Sequence, residues 1–226
     1  MPDYRRNWVP GGNFFFTVNL LDRRSNLLVA QIDALRDAVR QVRARAPFHI
    51  DAWVVLPAHM HRLWTIPEGD ADFPGRWRAI KTAFAKSLPV GEPRSPVMTD
   101  RGERGIWQRR YWEHTICDDR DFAAHMDYTH FNPVKHGLVA HPADWPHSSF
   151  HRCVVGALYP AGWRATAAMN RHRPANGAEP KRRRQREHRT GSPSGGAHPA
   201  TGRGGMRCAV PPYACCSGAG SRATTT

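Results

Sequence analysis

His59-Met60-His61 lies in a run that reads as a β-strand, and far along the chain Tyr128 precedes Asn132 in His125-Met126-Asp127-Tyr128-Thr129-His130-Phe131-Asn132-Pro133. Successive strand side chains alternate between faces, so both imidazoles point one way and Met60 is buried the other way. In a helix, residues four apart share a face, which sets the Tyr128 hydroxyl beside the Asn132 amide. Neutral imidazoles and an amide oxygen are ligands for a divalent cation, and a phenol oxygen is a nucleophile. Together they would equip a chain for metal-assisted attack of a tyrosine on a phosphodiester. Taken singly, each has an ordinary explanation. In a chain with thirteen histidines a His-X-His pair is more often structural than ligating, and a helical tyrosine commonly half-buries its ring. Asn before Pro is a standard helix N-cap, which competes with a ligand role for Asn132. A phenol ionises near pH 10, so Tyr128 needs a neighbour or a metal, and His125, three residues earlier, is placed to assist.

The elements around these residues follow from periodicity. Phe14-Phe15-Phe16-Thr17-Val18-Asn19-Leu20 reads as a strand introduced by Gly11-Gly12. Ile32, Leu35, Val39 and Val42 recur at helical spacing between about Leu28 and Ala46, which predicts an amphipathic helix stopped by Pro47. His49 to Leu56 and His59 to Ile66 predict two strands, joined as a hairpin because Pro57-Ala58 is too short for a parallel crossover. A second helix is expected from Trp77 to Leu88, then a mobile loop from Pro89 to Gly105 and a fourth strand near Tyr111 to Ile116. Asp118 or Asp119 caps a third helix running to about Phe131, which Pro133 ends or interrupts. The order β-α-β-β-α-β, followed by helices, predicts an α+β fold. It is a ferredoxin-like split β-α-β sandwich with a four-stranded antiparallel sheet, helices packed on one face, and the catalytic-tyrosine helix last. A metal hydrolase on a β/α barrel is excluded, since this order lacks the repeat and the 226-residue chain is shorter than the roughly 250 residues such a barrel needs.

Charge is unevenly spread. The chain carries net +14, and from Asn170 onward eleven Lys/Arg face only Glu179 and Glu187. A polyanion is the partner such a chain fits. Residues 1–165 read as one domain, and 166–226 as a basic Pro/Gly/Arg-rich, disordered tail. Five cysteines follow no disulfide or zinc spacing, no signal peptide is visible and no run reaches a membrane span, so a cytoplasmic protein is expected. Tyr4-Arg5-Arg6, Arg78 and Lys81 beside Trp77, and Arg109-Arg110 within Trp107-Gln108-Arg109-Arg110-Tyr111-Trp112 interleave guanidinium or ammonium groups with aromatics. Such groups hold phosphates and stack on unpaired bases, although most tryptophans are expected in the core.

In order along the chain, several stretches resemble one family. They are Tyr4-Arg5-Arg6, Gly11 to Asn19, Ala52 to His61, Trp77-Arg78-Ala79-Ile80-Lys81, Ile106 to His114, Asp127-Tyr128, Asn132-Pro133-Val134-Lys135-His136-Gly137-Leu138, Asp144 to Phe150, and Gly156 to Pro160. This chain is similar, over about residues 3 to 163, to the REP-associated tyrosine transposases. These belong to a wider group of single-strand endonucleases with a His-hydrophobic-His pair and a catalytic tyrosine. The resemblance implies action on single-stranded DNA that carries hairpins of repetitive extragenic palindromes. It implies Tyr128 as nucleophile, forming a 5′-phosphotyrosine and releasing a 3′-hydroxyl. It implies His59 and His61 as metal ligands with Asn132 as the third, Mg²⁺ or Mn²⁺ as the ion, and Lys135 beside the basic residues above as a DNA contact. Two alternatives stand beside this: a hairpin-binding protein that has lost the chemistry, and a replication-initiator nuclease acting on double-stranded repeats. A monomer is expected, because one chain carries the full set of groups. The loop Pro89 to Gly105 is longer than the family's usual connection, and the tail matches nothing in it.

Overall fold

The computed structural model describes residues 7–91 and 95–164. Tyr4, Arg5, Arg6 and the tail lie outside the described residues. Strands β1 (Asn13–Asn19), β2 (His49–Val55), β3 (His59–Thr65) and β4 (Trp112–Thr115) form one sheet in the order β2-β3-β1-β4. Every neighbouring pair is antiparallel. β1 and β2 therefore run the same way with β3 inserted between them, which is the expected split β-α-β arrangement.

The sheet is buried on both faces. Phe14, Phe16 and Val18 of β1 join Met60 and Trp64 of β3 on one side. Helices α2 (Ile32–Arg45) and α3 (Phe73–Ser87) cover that side with Leu35, Val39 and Val42, and with Phe73, Trp77, Ile80 and Phe84. Trp64 stacks on Trp77 with centroids 4.4 Å apart. Each such side chain removed from water stabilises the fold by roughly 1.5–3 kcal/mol. On the other side Phe15, Ala52 and Leu63 meet Met126 of α5 (Asp119–Lys135) and Cys153 of α6 (Phe150–Val155). The helices thus divide between the two faces instead of sharing one. All of β3 but Thr65 is buried, and a strand buried on both sides needs two covers.

Three local expectations change. The first helix is broken, with α1 (Leu27–Ala30) separated from α2 at Gln31, whose φ and ψ of −117° and 38° leave the helical region. The segment read as a mobile loop contains a helical turn, α4 (Pro96–Asp100), which Ser95 caps. Arg104 in that segment donates to the carbonyls of Ala85, Leu88 (2.9 Å) and Pro89 (2.5 Å), satisfying the orphan acceptors at the end of α3. Finally, α5 runs through Pro133 to Lys135. Proline removes one donor, but only a turn from the end. There Gly137, at φ 68°, closes a Schellman motif in which Leu138 N–H reaches the Pro133 carbonyl at 3.0 Å and Gly137 N–H reaches Val134 at 2.9 Å. Asn132 is therefore inside a helix and caps none.

Candidate active site

The strand period works at the start of β3 as expected. Met60 is fully buried toward α2 and α3, while His59 and His61 lie on the α5 side with ring centroids 5.2 Å apart. Across the sheet, β1 sets Thr17 in register with His61, and the Thr17 hydroxyl lies 2.9 Å from His61 Nδ1. With Nδ1 engaged, Nε2 is the nitrogen left for another partner. Phe15, also on this face, stacks on the His61 ring at 5.5 Å.

α5 brings the other two residues. The Tyr128 ring meets His61 edge-on at 5.2 Å. Asn132, one turn later, is wholly buried, and among the described residues neither its oxygen nor its amide nitrogen finds a well-formed hydrogen bond. Its closest influence is on His61, whose protonated form it favours. Burial, then Arg23, His136 and Lys135, push His59 down to about 3. Burial, then His59, His136 and Lys135, hold His61 well below its ordinary range. Both imidazoles are neutral at physiological pH, the form that binds a cation. The end of α5 completes the rim: His136 lies 5.0 Å from His59, and Lys135 Nζ sits 4.7 Å over the Tyr128 ring.

A second histidine group lies beyond Phe15, whose ring is 4.7 Å from His125. His114 Nε2 is 2.8 Å from Asp121 Oδ2, which also accepts the Cys117 N–H at 3.0 Å. His125 Nδ1 reaches the Asp121 carbonyl at 2.9 Å and its Oδ1 at 3.0 Å, and the two imidazoles stack at 4.7 Å. The donor atoms of His114, Asp121 and His125 lie within 4.8 Å of one another, so this group could hold a metal ion. Its clue in the sequence was the four-residue spacing of Asp121 and His125 on one helix turn, which went unread. His125, expected to assist Tyr128, instead gives its Nδ1 to Asp121.

The basic residues separate. Lys135 stands at the site. Arg78 and Lys81 lie on α3, across the sheet from the histidines; Arg78 is exposed, and Lys81 donates to the Gln108 carbonyl at 2.9 Å. Arg109 is paired with Glu103 at 3.3 Å, and Arg110 is exposed. No helix among the described residues is long and apolar enough to cross a membrane.

Sheet, helix and histidine face thus define an α+β protein with a tyrosine set against a buried, neutral imidazole pair. No family model matches the chain. It is 49% identical over 163 residues to the REP-associated tyrosine transposase of Escherichia coli K12, covering 72% of this chain and 91% of that protein. It is 43% identical over 164 residues to a putative REP-associated tyrosine transposase of Haemophilus influenzae, covering 72% and 93%. A solved structure of a REP-associated tyrosine transposase bound to a REP hairpin is 48% identical, with a TM-score of 0.64 over 74% of this chain and 93% of that one. The chain belongs to the REP-associated tyrosine transposase family, a family of enzymes.

Proposed function

We propose that this protein nicks and rejoins single-stranded DNA at REP hairpins, with Tyr128 as nucleophile and a divalent cation at His59, His61 and Asn132. The observation that carries this reading is the convergence of two neutral imidazoles, a buried amide without a well-formed bond, and a tyrosine on one face. A buried amide without well-formed hydrogen bonds costs roughly 1–3 kcal/mol, and a cation bound by its oxygen would offset part of that cost. The donor set fits such an ion, and two imidazoles favour Mn²⁺ over Mg²⁺ in binding strength. A cation held there would neutralise and orient the scissile phosphate.

The protein's own groups do the rest. Phe15 packs edge-on against the Tyr128 ring at 5.8 Å and Lys135 covers it, so the ring is held before substrate arrives. The Tyr128 oxygen forms a bond to phosphorus as the bond to the 3′-oxygen breaks. The phenolic proton leaves to solvent, and the departing 3′-oxygen gains one. A 5′-phosphotyrosine remains, which a second 3′-hydroxyl reverses, joining a new end. Lys135 lies near enough to offer its charge to a phosphate oxygen.

A labelled single-stranded REP-type oligonucleotide incubated with Mn²⁺ should give a covalent adduct that chelation abolishes. Tyr128→Phe should give none. An adduct with Tyr128→Phe would reassign the nucleophile, and hairpin binding without cleavage under any ion would leave a silent binding protein.

A further inference from the structure

Arg62 on β3 is fully buried, yet its Nε and both terminal nitrogens have no hydrogen-bond partner among the described residues. Arg76, also buried, shows what a structural arginine does in the same core. It donates to the carbonyls of Ala46 (3.2 Å), Pro47 (2.8 Å) and Asp72 (3.0 Å) and to the Asp70 carboxylate (2.5 Å). The Arg62 guanidinium instead lies 3.7 Å from the centroid of the Trp53 ring, with Trp77 at 5.3 Å. Aromatic faces attract a cation but supply no counter-charge, and a buried cation without one is costly.

Trp53 is half-buried because it lines a groove of about 290 Å³ between α2 and residues 147–152, along the edge strand β2. Arg36, Arg40, Arg43 and Arg152 line the same groove with His147, and among the described residues no carboxylate does. Arg43 and Arg152 are fixed by neutral acceptors. Arg43 Nε donates to the Phe48 carbonyl at 3.1 Å, and Arg152 Nη2 to the Ile50 carbonyl at 2.6 Å. Arg36 and Arg40 pair with Asp33 and Asp37, one turn back on α2. Positive charge thus lines the opening and stands behind its floor: Asp33 and Asp37 pair with Arg36 and Arg40 from outside the lining, and Arg62 meets no hydrogen-bond partner among the described residues.

The groove adjoins the strands and helix that carry the site. Trp53 pairs with Arg62 and Val54 with His61 in the β2–β3 register. Ser149 on the rim accepts the Trp53 N–H at 2.8 Å and is 2.9 Å from His130, two residues past Tyr128.

We propose that this groove binds the phosphodiester backbone of the base-paired stem adjoining the strand presented to Tyr128. The proposal rests on the hairpin reading above. Arginines forked on planar donors suit phosphate oxygens, and contacts to backbone hold a duplex in register without reading its bases. Seating an anion over Trp53 gives the Arg62 charge the counter-ion that the core withholds.

Anisotropy of a labelled REP-type hairpin, and of the same strand without its paired stem, tests this. Arg36→Ala with Arg40→Ala should weaken hairpin binding about tenfold and lower the salt slope by about two. The stemless strand should weaken less than twofold, and Arg36→Lys with Arg40→Lys should restore most of the hairpin affinity. Arg101→Ala, on the exposed end of α4, controls for loss of charge alone. Unchanged hairpin affinity and slope overturn the proposal, and equal loss on both probes overturns the assignment to the stem. Arg40 is exposed and Arg36 half-buried, and melting curves matching the parent exclude misfolding. Binding is read without cleavage, so absence of any covalent adduct with the parent protein would defeat the catalytic reading and leave this one standing.

Discussion

Two histidine groups flank Phe15, and they differ in how their polar atoms are satisfied. On one side Asp121 draws His114, His125 and the Cys117 amide into hydrogen bonds, tying β4 to the first turns of α5. On the other side His59, His61 and Asn132 are all buried; the Thr17 hydroxyl meets His61 Nδ1, while both polar atoms of the Asn132 amide lack a partner among the described residues. Burial without satisfaction costs stability, and it persists where something outside the chain completes the set. The Asp121 group ties β4 to the helix that carries Tyr128, and of its buried His125 ring only Nε2 is left without a partner among the described residues. On the function proposed above, the face with His59, His61 and Asn132 is the one that takes an ion and a phosphate.

The sharpest way to break this contrast is to ask which group takes the metal. Mn²⁺ binding followed by electron paramagnetic resonance should disappear in His59→Ala with His61→Ala, and adduct formation should fall to background. His114→Ala should keep both. An ion retained by the first variant and lost from the second would exchange the roles of the two groups, since the atoms around Asp121 are also close enough to hold one.

A smaller effect separates stability from activity. Asn132→Leu removes a buried amide and should leave the melting temperature unchanged or raised, because such a group costs roughly 1–3 kcal/mol. Adduct yield should drop by at least about tenfold. Asp121→Leu should do the reverse. Its carboxylate is held below the ordinary range by bonds from His114 and Cys117 that outweigh its burial, and losing charged hydrogen bonds costs about 1.5–3 kcal/mol. Yield per folded molecule should change little. If Asn132→Leu melts early with full yield, Asn132 is structural and the contrast fails.

The histidine face was readable from sequence because period-two alternation is local, needing only Met60 between two histidines. The same held for the strand order and for the tyrosine helix. Thr17 was not readable as a partner, since its bond to His61 depends on the β1–β3 register. Asn-Pro argued for a cap at Asn132, and that failed because Pro133 falls in the last turn, where one lost donor is tolerated and Gly137 supplies the stop. Helices on one face were expected from the element order alone; β3's nearly continuous burial shows the second cover. Nothing in the sequence sets Arg62 apart from its neighbours; its confinement appears only in the pairing with Trp53.

The mildest test uses acid. As pH drops below 6.5 the unfolded chain takes up protons at His59 and His61 that the folded chain refuses, down to about 3 for His59, so their burial makes stability fall as pH drops. Asp121 acts the other way round in origin: its lowered pKa adds stability above the ordinary value of 3.8 that is lost only as pH falls below it. The two groups therefore occupy separable windows. In chelator, His59→Gln with His61→Gln should flatten the fall in melting temperature from pH 6.5 to 5.5 by about 1 kcal/mol per histidine, each worth about 2–4 °C in a chain of this size. His130, also pushed down to about 3 by burial, and His125 keep part of the slope in both proteins. Asp121→Asn should lower the curve without flattening it there. An unflattened curve for the glutamine variant would mean that His59 and His61 accept protons in the folded state, and the neutral pair on which the metal reading depends would be gone.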